Sequence, residues 1–573
     1  KNMKFKLLIT AIYIFVCLSM NGQKKWDVDT SFIICKDRQI SSKRKMVVDN
    51  IGNFYIMGYF KGSVTIGNIT LNTISSSNYI TSKGIFLLKY DKFKQFEWAT
   101  KIAESDSMGS FSMSLDKSGQ ILVAFEFNGF SLVDLDTVNS HVGFSHVLIL
   151  KFNGMGLKTN QIQVSGTNSV NLGYNGISSD DENNLIISGS FNGSATNTAS
   201  GNLIIGSDTL FASSCDMFVA KFDSNFTPIW AKSFGGIGID GINSLYIQNN
   251  QIYLLGGIYN HSSLQIENIL FNFPPNYTSR QLLFKLNSQG DFLWARKYGN
   301  NDIQFNGTLI SRVLTVHNDK IYFNGHSFSN NQNMFLFEGG TPLTVPSSGR
   351  DYFIACYDTN GVFQWNTVSQ SFGSEYVTEL ACDTMGNLYG IGSFDYTIKF
   401  PGDTLHSMGG SDVMVLSYDP QGAFRGAFSA GGAGADIGNG IAFDTEGRAY
   451  IMGATTSTFC YMGNDTLYPP AGQSTIFLAR LDSIAVQFPA SVSSPPPSEI
   501  QKIYPNPCTD ALYIALSGKQ PSHTATLSDM SGRVLLQESI PAGASHYRMD
   551  VRALPAGIYT LRVGHTVQKI CKE

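Results

Sequence analysis

The sequence predicts an all-β fold, a ring of seven four-stranded repeats followed by a small sandwich, and three observations predict it. Glycine (56) and the aromatics Phe and Tyr (40 and 25) are abundant among the 573 residues, while no long stretch carries a helical period, which is the pattern of short strands joined by turns. One strand-turn-strand phrase recurs seven times. A last segment of different pattern follows a Pro/Ser-rich spacer. With 43% hydrophobic and 15% charged residues the chain can bury a large core. Its 40 Lys+Arg against 44 Asp+Glu, a formal charge of -4, without a long basic run, speak against a nucleic-acid reader and against a polybasic membrane binder.

Residues 1–22 read as a secretory signal peptide. Met3 is followed by Lys4 and Lys6, an apolar core from Leu7 to Leu18 and a small-residue exit near Gly22, with cleavage expected before Gln23. The apolar run of about 12 residues is shorter than the ~20 that a spanning helix needs. No other segment approaches that length, so no transmembrane helix is expected after cleavage. Bulky Val16 argues against lipid attachment at Cys17. The remaining cysteines (Cys35, Cys215, Cys356, Cys382, Cys460, Cys508, Cys571) are odd in number and widely spaced, unlike a disulfide framework. Cys356 and Cys382 fall in apolar strand patterns as small buried thiols.

The repeated phrase is clearest at 47–60, 380–394 and 441–455. A strand ends at Asp49, Asp383 or Asp444, and Gly52, Gly386 or Gly447 three residues later suits a left-handed turn. A second strand then reaches a marker position, occupied through the chain by Gly58, Phe125, Gly189, Gly256, Gly325, Gly392 and Gly453. Each unit adds a second hairpin. In four of them the aromatic falls at one offset, Asp91 to Trp98, Asp223 to Trp230, Asn287 to Trp294 and Asp358 to Trp365, which reads as packing between units. Four strands per unit, repeated seven times without a βαβ pattern, describe the blades of a seven-bladed β-propeller over 23–488. The same offset from Asp482 lands on Pro489, a poor ladder residue, whereas the fifth tryptophan, Trp26, opens the mature chain. The segment from Trp26 to Ile34 is therefore expected to supply the outer strand of blade seven and close the ring, with Ser483 to Phe488 as the alternative.

Residues 489–499 (PASVSSPPPSE) form an extended spacer. Residues 500–573 alternate at Leu512, Ile514 and Leu516, turn at Ser531-Gly532, and continue through LPAGIYTLRV to a final KICK, the outline of a small immunoglobulin-like β-sandwich.

Two resemblances add to this reading. SGSFNG, CDMFVAKFDSN and IWAKSFGG carry a resemblance to the bacterial SBBP-type β-propeller repeat over about residues 26 to 488. The last domain resembles the type A C-terminal sorting domain of the type IX secretion system through YPNP (Tyr504, Pro505, Asn506, Pro507), the DxSGR turn with Gly532 and Arg533, LPAGIY with Gly557 and Tyr559, and the terminal Lys569 and Lys572. Cys571 stands where that family usually has an apolar residue. This resemblance implies export across the outer membrane of a Bacteroidota-type bacterium, with the secretion machinery and its sortase as partners, and then attachment to surface polysaccharide or release. Cys508 and Cys571 are candidates for a pair within this domain. The G-x-D-T-L segments also resemble O-glycosylation sites of this bacterial group, at Thr209, Thr404 and Thr466, against a plain strand-and-turn repeat.

Catalytic and metal-binding patterns are missing. GIGIDG (236–241) fits the dinucleotide fingerprint but leads into a strand, not a helix. DTNGVFQW (358–365) resembles the Asp-box of sialidase propellers but has the wrong Asp-to-Gly step, and its Asp serves the turn. No catalytic residue, metal site or cofactor is expected. The leading expectation is an exported binding or scaffold protein recognising a surface polysaccharide, an extracellular glycan or a protein. The alternative is a polysaccharide hydrolase or lyase. Asp106, Asp240, Asp302, Glu375 and Asp436 recur at the crossings between units and are the candidate ligand or cation face.

Overall fold

A computed structural model describes residues 28–481 and 500–573, except 37–43, 74–81, 135, 141–142, 193–200, 213, 237, 260–262, 267–268, 273–279, 301–308, 330–333, 345–348, 372, 464, 471–473, 506, 517–522, 530–532 and 564–565. The signal segment, Trp26, Ser483 to Phe488, the spacer, Asp302, Asn506 and Gly532 therefore lie outside the described residues. Those described form strands and turns, with no helix among them. The chain divides into two compact bodies, Lys1–Val486 and Gln487–Glu573.

The first body holds seven antiparallel four-stranded units. Unit one is Arg44–Val48, Phe54–Phe60, Lys83–Tyr90 and the first half of Phe96–Leu115. That long strand then serves unit two as its first strand, ahead of Ile121–Val133, Ser145–Phe152 and Lys158–Val164. Unit three is Val170–Ser179, Leu185–Asn192, Cys215–Phe222 and Pro228–Phe234. Unit four is Ile239–Gln248, Gln251–Tyr259, Arg280–Leu286 and Phe292–Asn300. Unit five is Leu309–His317, Lys320–Ser329, Gly349–Asp358 and Phe363–Val368. Unit six is Glu375–Cys382, Leu388–Phe394, Asp412–Tyr418 and Phe424–Gly431.

Unit seven takes Asp436–Phe443, Ala449–Thr455 and Thr475–Leu481 from one end of the body and Val28–Lys36 from the other. The N-terminal segment is thus the outer strand, in a register of its own. In units one, three, four and five the tryptophan stands opposite Lys89, Lys221, Lys285 or Cys356, two residues before the turn Asp or Asn. The matching residue of unit seven, Arg480, faces Thr30.

The turns form because an Asp or Asn clasps its own loop. Asp49 Oδ1 accepts the amides of Ile51 and Asn53 at 3.0 and 2.8 Å, and Gly52 sits at φ 91°. The same clasp holds at Asp91, Asp116, Asn153, Asp180, Asp223, Asn287, Asp358, Asp383, Asp419 and Asp444. Lys94, Asn183 and Phe226 take the left-handed position in three of these loops, which is why those copies of the phrase are hard to read.

Strand alternation splits each unit's apolar residues between two neighbours. Phe54, Ile56 and Phe60 pack with Tyr450, Met452 and Ile476 of unit seven, whereas Tyr55, Met57 and Tyr59 pack with Val123 and Phe125 of unit two. Five further cores join each remaining pair of successive units. The first strands likewise lie side by side in order, and that of unit seven returns to that of unit one.

Two further kinds of contact bind units to their neighbours, the first in every unit and the second in five of them. The long second-to-third connection folds back and pairs with the end of the preceding unit's fourth strand, from Cys35↔Ile66 between units seven and one to Gly431↔Tyr461 between units six and seven. It lengthens sheets that would otherwise end on an open edge. Trp98, Trp230, Trp294 and Trp365 each donate the indole N–H to a carbonyl in the next unit's outer turn, at Gly154, Ser288, Thr359 and Pro420. Asn160 of unit two reaches the Asn225 carbonyl in the same way, at 2.8 Å.

The second body has two antiparallel sheets, one of Ile500–Tyr504, Ala511–Leu516 and His546–Asp550, the other of Val534–Ile540, His523–Ser528, Gly557–Val563 and Thr566–Lys572. Leu512, Ile514 and Met549 from one sheet meet Ala525, Leu527, Leu561 and Ile570 from the other in a single core.

Candidate functional site

The first strands of all seven units line one cavity of about 190 Å³, with Lys45, Ser112, Asn175, Tyr246, Thr315, Glu379 and Ile441 each drawn from a different unit. In most units the first strand carries a bulge of one residue here, as between Ile242 and Ser244 or Val377 and Glu379. Unit three breaks the pattern: its ladder jumps from Leu172↔Gly189 to Ile177↔Ile187, so Gly173, Tyr174, Asn175 and Gly176 stand opposite Ser188 alone. A Cβ on Gly173 would meet the Ile242 carbonyl at 2.7 Å, and one on Gly176 the Ser188 carbonyl at 2.7 Å. The bulge therefore needs both glycines, and it carries Tyr174 and Asn175 toward residues of units one and six.

Lys45 Nζ and Glu379 Oε2 form an ion pair of 2.8 Å, with side-chain exposures of 7% and 17%. Lys45 also donates to Asn175 Oδ1 and lies 4.2 Å from the centre of the Tyr174 ring. Asn175 Nδ2 donates in turn to Glu379 Oε1 at 3.4 Å. Beside this cluster Arg44 Nη1 donates to Asn439 Oδ1 of unit seven at 3.0 Å. Burial alone would lower the Lys45 pKa, but the Glu379 carboxylate and the Tyr174 ring outweigh it, and the net shift is upward. The ammonium is thus fixed in its charged form and its charge is met on the spot. Such an arrangement can orient a ligand by hydrogen bonds while offering it no free charge.

Of the crossing acids, three lie in the interior of the first body. Asp240, Glu375 and Asp436 are fully buried at the starts of first strands. Asp240 Oδ2 accepts the Gly236 amide at 3.0 Å, and Asp436 Oδ2 accepts Gly432 N at 2.8 Å and Ser457 Oγ at 2.7 Å. Glu375 accepts the Ser371 hydroxyl. These carboxyls brace the corners between units and do not present themselves to solvent. Asp106 is half-buried, and its carboxyl is pushed up by burial and by Glu104. A second row of acids, missed in the sequence, opens third strands at Asp216, Asp351 and Asp412. The recurrence of Asp before an apolar pair in DMF, DYF and DVM was the available signal. Burial pushes Asp351 and Asp412 up to about 6, Asp412 also feeling Asp436, and pushes Glu375 up to about 8 with a further contribution from Asp351. No group of three or more His, Cys, Asp or Glu arranged for a metal ion occurs among the described residues.

In the second body, Tyr504 precedes a cis Pro505 and stacks on Tyr513 with ring centres 5.8 Å apart. Pro507 is exposed, and the Arg533 amide donates to Asp529 Oδ1 at 3.0 Å. Gly557 pairs with Lys572 across the last two strands, and Lys569 pairs with Thr560. Tyr559 is buried and donates to the Pro555 carbonyl at 2.7 Å. The structure thus brings Gly557 and Lys572 together at one end of the sheet. Cys508 donates its amide to the Cys571 carbonyl at 2.9 Å, and no disulfide joins the two. Cys508 is in the core, while alternation after buried Ile570 turns Cys571 away from it. Thr209 and Thr404 are exposed on their hairpins and Thr466 is half-buried.

No curated protein matches the chain. Among solved structures it is similar to a protein of unknown function from Dyadobacter fermentans DSM 18053 (10% identity, 65% of this chain and 94% of that one, TM-score 0.32). It is similar also to the Hadza microbial sialidase Hz136 (7%, 81% and 99%, 0.31) and to the plexin A4 extracellular region (7%, 94% and 53%, 0.35), about half of whose length it spans. These likenesses are too distant to carry over a fold or an activity. Family models are more specific: residues 430–459 match the beta-propeller repeat, and residues 502–573 match the secretion system C-terminal sorting domain. The chain therefore carries SBBP-type β-propeller repeats and ends in a type IX sorting domain, the mark of proteins exported by that system and then attached to the cell surface or released.

Proposed function

We propose that the protein is an exported binding module, a closed seven-bladed β-propeller that recognises a ligand outside the cell, delivered by an immunoglobulin-like sandwich that the type IX machinery and its sortase read through Tyr504, Pro505, Asn506, Pro507, Gly532, Arg533, Gly557, Tyr559, Lys569 and Lys572. The seven successive cores, with the one that returns from unit seven to unit one, support the ring. The observation that carries binding over catalysis is the Lys45–Glu379 pair: among the described residues Glu379 is the one carboxylate lining the cavity, and it is held by a lysine. Glycoside hydrolysis uses two carboxyl groups facing across a bond, typically ~5–9.5 Å apart. Asp240, Glu375 and Asp436, buried in their own corners, enter this reading as braces of the ring.

The test is a glycan and matrix-protein array probed with the full chain, run beside a reducing-end assay on the polysaccharides it retains. Retention without new reducing ends is expected. Release of reducing ends that is lost in Glu379→Gln would favour the hydrolase reading instead.

A further inference from the structure

We infer that the central cavity is a binding site for a neutral, hydroxyl-rich ligand of the size of one sugar ring. The inference rests on the binding reading above and gives it a place and a chemistry. Three observations point there. The cavity walls alternate hydrogen-bonding groups (Ser112, Asn175, Thr315) with aliphatic ones (Ile177, Leu245, Leu314), an amphipathic lining that suits a ring with hydroxyls on its rim and C–H on its faces. Among the described residues of the lining, the only cationic and anionic groups, Lys45 and Glu379, are bonded to each other, so a charged ligand would have to break a nearly buried ion pair to gain a partner. A neutral one can accept from Lys45 or Asn175 and donate to Glu379 while the pair stays closed.

The third observation is where the repeat is broken. The glycine-bracketed bulge of unit three has no counterpart of its length among the other described first strands, and it places Asn175 between Lys45 of unit one and Glu379 of unit six. The bulge creates a polar constellation of residues from three units around the cavity, and bulges are over-represented next to functional sites, where they re-aim a side chain.

The experiment is calorimetric titration of the full chain with D-glucose, D-galactose, D-mannose and N-acetyl-D-glucosamine, with D-glucuronate and glycine betaine as charged and zwitterionic probes. At least one neutral sugar is expected to bind, and Asn175→Ala and Thr315→Val are each expected to weaken it by about tenfold, the loss of one hydrogen bond. Thr404→Val, on an outer hairpin, is expected to leave it unchanged. If Asn175→Ala loses its cooperative melt, Thr315→Val alone decides. Absence of binding by all four neutral sugars, binding indifferent to both cavity variants, or tighter binding of glucuronate than of glucose overturns the proposal. Array ligands that are retained equally by Thr315→Val would leave the binding reading standing and remove the cavity from it.

Discussion

Trp294, on the fourth strand of unit four, donates its indole N–H to the Thr359 carbonyl of unit five at 3.3 Å, and its ring lies against Gly361 so closely that a Cβ there would sit 3.0 Å from it. Gly361 is needed twice, for this approach and for its φ of 78°. Gly361→Ala is expected to cost ~1–3 kcal/mol, and Trp294→Phe, which keeps the ring and loses the bond, about 1 kcal/mol. Denaturant midpoints measure both. A Gly361→Ala chain as stable as the wild type would show that the lock is slack.

Glu375 gives the ring a pH dependence. Its carboxyl is held at about 8 by burial, against ~4.3 in an unfolded chain. Between those values the folded chain keeps a proton that the unfolded chain has released, so stability is full below the window and falls as pH rises through it. The slope is about 1.4 kcal/mol per pH unit for one such group. Glu375→Gln has no proton to lose, and its melting midpoint is expected to vary less between about pH 5 and 8 than that of the wild type. Parallel profiles would count against this.

Lys45 and Glu379 are expected to behave as a unit. Glu379→Leu alone leaves a nearly buried ammonium and should destabilise by ~3–5 kcal/mol. Adding Lys45→Met should recover most of that loss, and a double-mutant cycle in urea measures the coupling. Additive losses would mean that the two charges are independently solvated.

Removal of Val28–Lys36 strips the outer strand from unit seven and bares Thr475–Leu481. A lower midpoint for the whole first body is expected in calorimetry, beyond that of ordinary terminal trimming. An unchanged transition would mean that another segment takes the strand's place.

Truncation before residue 500 is expected to leave protein inside the cell envelope, because the sorting domain matches 502–573 and the first body has its own cores. Fractionation of the producing cells checks this. Surface delivery of the truncated chain at the full-length level would show that export is specified elsewhere.

What was legible in the sequence is what is local. An Asp that clasps its own loop and a glycine three residues on identify a hairpin without reference to anything distant, so the turns at Asp49, Asp383 and Asp444 could be read directly. The tryptophans were legible as a position but not as a contact, because the carbonyl bound by Trp98 lies 56 residues on. Lys45 and Glu379, 334 residues apart, are neighbours only once the first strands converge, and no spacing rule connects them. The surroundings of Asp240, Glu375 and Asp436 were out of reach for a related reason: turn chemistry and ligand chemistry use the same carboxylates, and burial follows from packing.

The place where the chain leaves the first body bears on how it withstands force. Leu481 ends the third strand of unit seven, with Ala449–Thr455 bonded along one side and Val28–Lys36 along the other. A protein held at the cell surface through its C-terminal region takes drag from the surroundings at that point. A terminal strand on an open edge would peel away one hydrogen bond at a time under such a pull. A strand gripped on both flanks has two ladders to break, so single-molecule pulling from the C-terminus is expected to meet a higher rupture force there while the N-terminal strand is present than after its removal.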